Sequence, residues 1–411
     1  MKKRLLSTLL ALCMVLTALP CEALAAALPG GDGGGVVPYA SGNYTLENGA
    51  VLRYDGGAIT GCTLNGATEI VIPDAINGVP VTVIANSAFY NTPQMRSVTI
   101  PAGVTSIETN AFNNCSGLTS VSFGEPSALK TIDTYAFAGC ASLTEIRLPD
   151  SLESLGAGMF MDCKALTDVY IPAHLTEFWA GEHTFDGCES LTEITVPEGV
   201  TVLGSLFFSK CASLETVHLP DTLTTIGPNA FADCTALESI ALPDSVQYIR
   251  EYAFLSCTNL KDINFPAGLL TIGLDAFHSC TALETAILPE GVTRVGDGAF
   301  YACHGLKKAY IPDSVTYLGK TAFYACDHMT DIYLSQNLTA IEEDTFGHSG
   351  VVEVEIPGKV TSIGARAFDT ALDLVCLSKP PTHRPRAVPE CRLTFPAAAI
   401  PSRRPRRSTA P

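Results

Sequence analysis

The sequence predicts a β-rich solenoid of about thirteen coils, each 22–25 residues long and built from short parallel strands joined by short helical or 3-10 turns. Two observations predict this fold. Phenylalanine recurs at intervals of 22–25 residues, and the same pattern of aliphatic, proline and small residues surrounds each copy. A unit this short buries its apolar face only against its neighbours, so the coils must stack around one continuous core. The thirteen phenylalanines are Phe89, Phe112, Phe137, Phe160, Phe185, Phe208, Phe231, Phe254, Phe277, Phe300, Phe323, Phe346 and Phe368.

The elements of one coil can be assigned from the unit that runs from Leu237 to Cys257. Leu-x-x-Ile-x-Leu alternates with a period of two, which predicts a short half-buried strand. The proline that follows ends the strand, because it lacks the N–H that a sheet ladder needs. Val-x-x-Ile predicts a second short strand, and Ala-Phe-x-x-Cys fits one tight helical or 3-10 turn with the phenylalanine inside.

This pattern resembles a known repeat family. Read through one period, it is Cys-x-x-Leu-x-x-Ile-x-Leu-Pro-x-x-Val-x-x-Ile-Gly-x-x-Ala-Phe, and it looks like the leucine-rich repeat of the BspA type, found in secreted and surface proteins of bacteria and some protists. The resemblance covers about residues 67–377. It implies a leucine-rich-repeat solenoid and an association with adhesion to host extracellular proteins or to other cells.

The N-terminal segment has the layout of a cleaved secretory signal peptide, predicted over residues 1–27. Lys2-Lys3-Arg4 precedes an apolar run from Leu5 to Leu19, and small residues follow. An alternative is lipid attachment at Cys21, which the neighbouring Pro20 disfavours. We therefore expect a secreted or cell-surface protein. Outside this segment no run of about 18 apolar residues occurs, so no membrane span is predicted.

Three further segments complete the predicted organisation. Residues 28–66 are expected to form a glycine-rich linker and an N-terminal cap, and residues 67–377 the solenoid. Residues 378–411 are rich in proline and arginine, lack the repeat and are expected to be disordered. Because the composition of this tail differs so much from that of the acidic body, a frameshifted or truncated reading frame is an alternative.

Ten of the fifteen cysteines occupy one repeat position, three residues after the phenylalanine. We expect them to be small buried side chains that fill a corner of the coil. Sequential disulfide bridges and a metal site are the alternatives, although the close Cys-x₂₋₄-Cys pairs of structural zinc sites are missing here. Cys13 and Cys21 fall in the leader, and Cys62, Cys376 and Cys391 have no assigned role or redox state. The ten are Cys115, Cys140, Cys163, Cys188, Cys211, Cys234, Cys257, Cys280, Cys303 and Cys326.

The sequence offers little sign of catalysis. The net charge of −17 argues against binding nucleic acid through the body of the protein. Neither His-Glu-x-x-His nor Gly-x-Ser-x-Gly occurs, and Gly319-Lys320-Thr321 lacks the earlier glycine of a phosphate-binding loop. We therefore predict a non-enzymatic protein with no cofactor and no catalytic or metal-binding residues.

Outward positions of the strands are the natural place for recognition, since they vary without disturbing the core. Aromatic side chains there are typical of interfaces, although the β-propensity of solvated strands is the simpler explanation. A tryptophan beside a two-residue insertion either adds a contact or plugs the widened loop. The candidate binding residues are Tyr170, His218, Tyr310 and Tyr333 on the first strands, Tyr248 and Tyr317 on the second strands, and Trp179 at the insertion.

Together these features predict a secreted or cell-surface binding protein for an extracellular protein or glycan, expected to be monomeric. The competing hypothesis is a passive spacer or scaffold of the cell envelope whose anchor or partner module is absent from this chain. A third possibility is an enzyme whose catalytic part is missing or hidden.

Overall fold

The computed structural model describes residues 41–369 and the strand Val375–Cys376, in two compact units. The first unit comprises the described residues up to Thr222 together with 233–235; the second comprises residues 223–232 and the chain from Ala236 onward. The predicted signal peptide, most of the linker, the tail after 377, and Cys13, Cys21 and Cys391 lie outside the described residues.

The first unit contains seventeen described strands and one 3-10 helix, most of them two to four residues long. They are β1 (Ser41–Thr45), β2 (Val51–Asp55), β3 (Ala58–Thr63), β4 (Glu69–Val71), β5 (Ala75–Ile76), β6 (Val79–Pro80), β7 (Val83–Ile84), β8 (Ser97–Ile100), β9 (Ser106–Ile107), β10 (Ser120–Phe123), β11 (Thr131–Ile132), β12 (Glu145–Arg147), β13 (Ser154–Leu155), β14 (Asp168–Tyr170), the 3-10 helix η1 (Glu177–Ala180), β15 (Glu193–Thr195), β16 (Val202–Leu203) and β17 (Thr216–His218).

The second unit contains fourteen described strands of two or three residues. They are β18 (Thr225–Ile226), β19 (Ser239–Ile240), β20 (Tyr248–Ile249), β21 (Asp262–Ile263), β22 (Thr271–Ile272), β23 (Thr285–Ile287), β24 (Arg294–Val295), β25 (Lys308–Tyr310), β26 (Tyr317–Leu318), β27 (Asp331–Tyr333), β28 (Ala340–Ile341), β29 (Glu353–Val354), β30 (Ser362–Ile363) and β31 (Val375–Cys376).

Successive coils pair through parallel strands in two layers, which confirms the predicted β-solenoid. In the first unit the second strands pair in the order β7-β9-β11-β13, and the antiparallel strands β1-β2-β3 extend this sheet at β7. The first strands form three separate sheets, β4-β8-β10, β12-β14 and β15-β17. In the second unit β18-β20-β22-β24-β26 pair in order, and β19-β21, β23-β25-β27, β28-β30 and β29-β31 form further sheets.

The phenylalanine turns differ in one respect from the expected short helix. Each turn from Phe89 to Phe346 holds its phenylalanine between left-handed residues two positions away, as Asp275 (φ 49°) and Ser279 (φ 61°) flank Phe277. The N–H groups of these three residues each donate to a carbonyl of the next coil at 2.8 Å. The Cys280 N–H donates back to the Phe277 carbonyl at 3.1 Å, a 3-10-type bond. The left-handed residues stop that pattern from propagating, so most coils have a single turn rather than a helix.

All thirteen repeat phenylalanines lie in the core. Adjacent rings stack with centroids 4.9–6.4 Å apart from Phe89 to Phe208 in the first unit. From Phe231 to Phe368 in the second unit the spacing is 5.1–5.8 Å. Offset stacking of this kind contributes about 0.5–1.5 kcal/mol per pair beyond the apolar area that is buried. Within each unit, a coil between two others therefore has its ring stacked on the rings of both neighbours.

The ten repeat cysteines are free thiols, and every one is completely buried. Each Sγ–H donates to the carbonyl of the phenylalanine in the preceding coil, at 3.0–3.3 Å. Where another residue takes the position, as at Thr92 and Ser349, its hydroxyl bonds to the phenylalanine carbonyl of its own coil. This arrangement favours packed, hydrogen-bonded thiols over bridges or a metal. Desolvation by burial raises the pKa of Cys163 and of Cys303 to about 12.

Candidate binding surface

The outer face of β23-β25-β27 in the second unit carries an apolar and aromatic cluster. Strand register aligns Ile287, Tyr310 and Tyr333 on three successive coils. The two tyrosine rings stack at 4.8 Å with an interplanar angle of 13°. Ile287 is 45% exposed and Tyr333 39% exposed, while Tyr310 between them is half-buried. The short strands thus present a rigid, exposed patch that has little side-chain entropy to lose on binding.

Charged groups border this cluster, which we call the Tyr310/Tyr333 patch. The Tyr333 hydroxyl donates to Asp313 Oδ1 at 3.4 Å, and Lys308 forms an ion pair with Asp331 at 3.0 Å. Desolvation, together with nearby Asp313, raises the pKa of Tyr333 above its usual value, so the phenol stays protonated and able to donate. An apolar centre with a polar rim is the usual arrangement of a recognition surface.

Two other candidate tyrosines each belong to an arginine–tyrosine–aspartate arrangement. On the first strands of the first unit, the Arg147 guanidinium lies 3.8 Å from the Tyr170 ring centroid, and the Tyr170 hydroxyl donates to Asp150 at 2.8 Å. This hydrogen bond is the main reason that the pKa of Tyr170 is raised. The side chain is therefore already engaged within the protein on both its ring face and its hydroxyl.

The second strands of the second unit repeat the same arrangement. The Arg294 guanidinium lies 3.9 Å from the Tyr317 ring centroid, and the Tyr317 hydroxyl donates to an Asp297 oxygen at 2.7 Å. Burial, followed by this aspartate, raises the pKa of Tyr317. Tyr248 lies in the same layer, three coils earlier, with the Arg250 guanidinium 4.8 Å from its ring. Tyr248 and Tyr317 are therefore not neighbours.

The remaining predicted residues divide between surface and core. His218 is exposed on β17, where its Nε2 lies 3.0 Å from Glu193 Oε1. Trp179 is only 1% exposed, so its placement on the binding surface is wrong. Its ring stacks on Phe207 at 5.3 Å and meets Phe178 edge-on at 5.8 Å. The two-residue insertion widens this coil, and the large indole fills the added interior.

A second row of aromatic side chains, half-buried except for the exposed His348, lies at the phenylalanine turns of the second unit. Tyr301 and Tyr324 stack at 5.0 Å, His278 contacts the Tyr301 ring at 4.5 Å, and His348 contacts the Tyr324 ring at 5.1 Å. The sequence contained a signal for this row, since His278, Tyr301 and Tyr324 each directly follow a repeat phenylalanine. This row belongs to the turn corner rather than to the strand face.

The described residues contain no group of three or more histidine, cysteine, aspartate or glutamate side chains arranged to hold a metal ion. In the same part of the chain, no helix has the length and hydrophobicity needed to cross a bilayer.

The coils pair through parallel strands, bury a row of phenylalanines and a row of cysteines, and leave one strand face exposed. These features define a leucine-rich-repeat solenoid. The family described as "BspA type Leucine rich repeat region" matches in six copies over residues 82–180, 179–306 and 256–375. The chain belongs to this family.

Two bacterial proteins of known structure are similar to this chain in fold. One from Bacteroides ovatus is 26% identical with a TM-score of 0.57, over 81% of this chain and 91% of that chain. The pneumococcal vaccine antigen PcpA is 21% identical with a TM-score of 0.54, over 82% of this chain and 99% of that chain, and shows the fold alone. No curated protein sequence in the comparison matches the chain.

Proposed function

We propose that the chain is an exported, non-catalytic leucine-rich-repeat protein that adheres to an extracellular protein or glycan through the outer face of its strands. The observation that carries this proposal is the Tyr310/Tyr333 patch. The two rings are stacked, Tyr333 and the neighbouring Ile287 are exposed, and the strands that carry them are packed on the core. The family, the leader-like residues 1–27 and the bacterial relatives support export and display.

The patch suits both ligand classes for the same physical reason. A stacked pair of tyrosines offers a flat apolar surface, and the Asp313 carboxylate beside Tyr333 can accept hydrogen bonds from hydroxyl or amide groups. Tyr170 and Tyr317 are poorer anchors, since an arginine covers the ring and an aspartate accepts from the hydroxyl in each case. We therefore place the principal contact at the patch.

The test is binding of the chain lacking residues 1–27 to arrays of extracellular-matrix proteins and glycans. The Tyr310→Ala/Tyr333→Ala variant should lose about 30-fold in affinity for any ligand found, the effect of removing a hot spot worth about 2 kcal/mol. The matched control is Tyr301→Ala/Tyr324→Ala, which removes an equally stacked tyrosine pair from the turn corner. If the two double variants bind the ligand with equal affinity, the Tyr310/Tyr333 patch is not the binding site. Absence of any ligand would favour the spacer hypothesis.

A further inference from the structure

The first-strand layer of the first unit is interrupted between β14 and β15. β12 pairs with β14 and β15 pairs with β17, but β14 and β15 do not pair. The two coils are joined on either side of this gap. Before the strands, the Ser190 N–H donates to the Lys164 carbonyl at 3.1 Å; after them, the Gly204 N–H donates to the Trp179 carbonyl at 2.8 Å. The same layer is also interrupted between β10 and β12; the gap between β14 and β15, which we call the slot, differs in that Trp179 lines it.

The slot leaves backbone groups without the partners they have elsewhere. Between β15 and β17, the Thr216 N–H donates to the Thr192 carbonyl at 3.1 Å and the Val196 N–H donates to the His218 carbonyl at 2.9 Å. No equivalent backbone hydrogen bond joins β14 to β15 in the described structure. Both strands thus present an open edge toward the slot, and such edges are templates for an added extended chain.

The interior of the slot is also incompletely covered. It holds a cavity of about 470 Å³, lined by both strands and by Trp179. Val169 and Ile171 of the β14 coil are half-buried, whereas the corresponding Ile146 and Leu148 one coil earlier are fully buried. The indole Nε1 of Trp179 is buried and has no hydrogen-bond partner. A buried N–H without an acceptor is costly, so the packing of Trp179 beside the slot is locally unfavourable.

Charge at the rim points to the chemistry of the occupant. Asp168 and Glu193 are both exposed on the two facing strands, at the same position of the repeat. The imidazole of His218 lies near Glu193, and the Arg147 guanidinium is held over the Tyr170 ring. Asp168 and Glu193 both line the cavity, and a cationic partner complements their negative charge.

We propose that this slot binds a short extended segment of a partner polypeptide. Its backbone pairs with the open edges of β14 and β15, next to the Trp179 side chain that lines the slot. Small apolar side chains on one side of the segment cover Val169 and Ile171, while lysine or arginine on the other side meets Asp168 and Glu193. The strands are three residues long, which sets the paired segment at about three residues, or about 10 Å. This site is separate from the Tyr310/Tyr333 patch and does not depend on it.

The experiment uses the only tryptophan of the chain as a reporter inside the slot. Random linear seven-residue peptides displayed on phage are selected on the full chain, and the selected peptides are synthesised and titrated while Trp179 emission is recorded. We expect alternating apolar and basic peptides that shift the emission saturably and slow amide exchange in residues 167–171 and 192–196. An analogue N-methylated at alternate amides keeps the side chains but should bind at least tenfold more weakly.

Charge reversal supplies the matched comparison. Asp168→Lys should weaken the selected peptide at least fivefold, whereas Asp262→Lys, at the same repeat position on β21, should not change it. Tyr310→Ala/Tyr333→Ala should also leave it unchanged, which separates this site from the proposed adhesive face. The inference is overturned if no selected peptide shifts the emission, if the N-methylated analogue binds equally well, or if raising the concentration of the chain alone produces the shift, which would assign the slot to a second copy.

Discussion

Replacing Phe277 by leucine tests whether stacked rings hold neighbouring coils together. Phe277 lies at 5.1 Å from the ring of Phe254 and at 5.2 Å from that of Phe300, and it is completely buried. Losing two stacked contacts at about 0.5–1.5 kcal/mol each, together with a partly filled cavity, should cost about 2–4 kcal/mol. The matched control is Phe368→Leu, because Phe368 stacks on a described ring on one side only, at 5.3 Å. That change should cost about half as much.

The assay must report locally, because long repeat arrays need not unfold in one step. Hydrogen exchange measured by mass spectrometry gives the opening free energy of each coil, and urea unfolding gives the global midpoint. In Phe277→Leu the amides of this coil and its two neighbours should exchange faster, while more distant coils of the second unit keep their protection. Equal costs for Phe277→Leu and Phe368→Leu would refute the idea that stacking between coils is the stabilising contact.

Three further predictions concern the thiols and the close approach of the coils. Burial raises the pKa of Cys115, Cys163 and Cys303 from 9.0 to about 12, so these thiols lose their protons at lower pH in the unfolded chain than in the folded one. The free energy of unfolding should therefore fall by about 1 kcal/mol per thiol per pH unit between pH 9 and pH 12. Urea unfolding measured across this pH range is the test, and exposed thiols would give no such fall. Cys303→Ser keeps a donor for the phenylalanine carbonyl and should cost less than Cys303→Ala, at about 1–2 kcal/mol for the alanine variant by the same titration; the reverse order would discount the thiol hydrogen bond. Gly296→Ala places a methyl group 2.5 Å from the backbone of the preceding coil and should lower the melting temperature by several degrees, whereas Gly358→Ala meets nothing within 4 Å and should not; equal melting temperatures would contradict this packing.

The core was predictable because the same type of residue recurs at each buried position in unit after unit of the repeat. The spacing of the phenylalanines places every ring in the interior, and the alternation of Ile240, Ala241 and Leu242 predicts their inward, outward and inward positions. The thiol-to-carbonyl hydrogen bonds were not predicted, since small size alone accounts for a cysteine at that position. Thr92 and Ser349 at the same position carried the missing signal, because both can donate a hydrogen bond.

The structure could not be predicted from the repeat pattern in the unit that carries the two-residue insertion. The unit that ends at Phe185 has Phe178 and Trp179 where other units have one aliphatic residue, and Phe207 precedes Phe208 where most units have alanine. These four aromatic side chains and Phe185 pack into one cluster with ring centroids 4.9–6.5 Å apart. The length of the insertion alone did not distinguish an inward from an outward tryptophan. The opening between β14 and β15 lies beside Trp179 and was not predicted either.

The fixed 23-residue interval from Phe231 to Phe346 makes the coils of the second unit interchangeable at their edges. Each coil there offers the same strand register to the coil before it and the coil after it. Deleting residues 255–277 would join Phe254 to His278 and recreate a matching junction, while deleting ten residues would misalign strands, rings and thiols together. Recombination can therefore add or remove whole coils without requiring new contacts at the junction between coils. The number of coils can change independently of what any single coil binds.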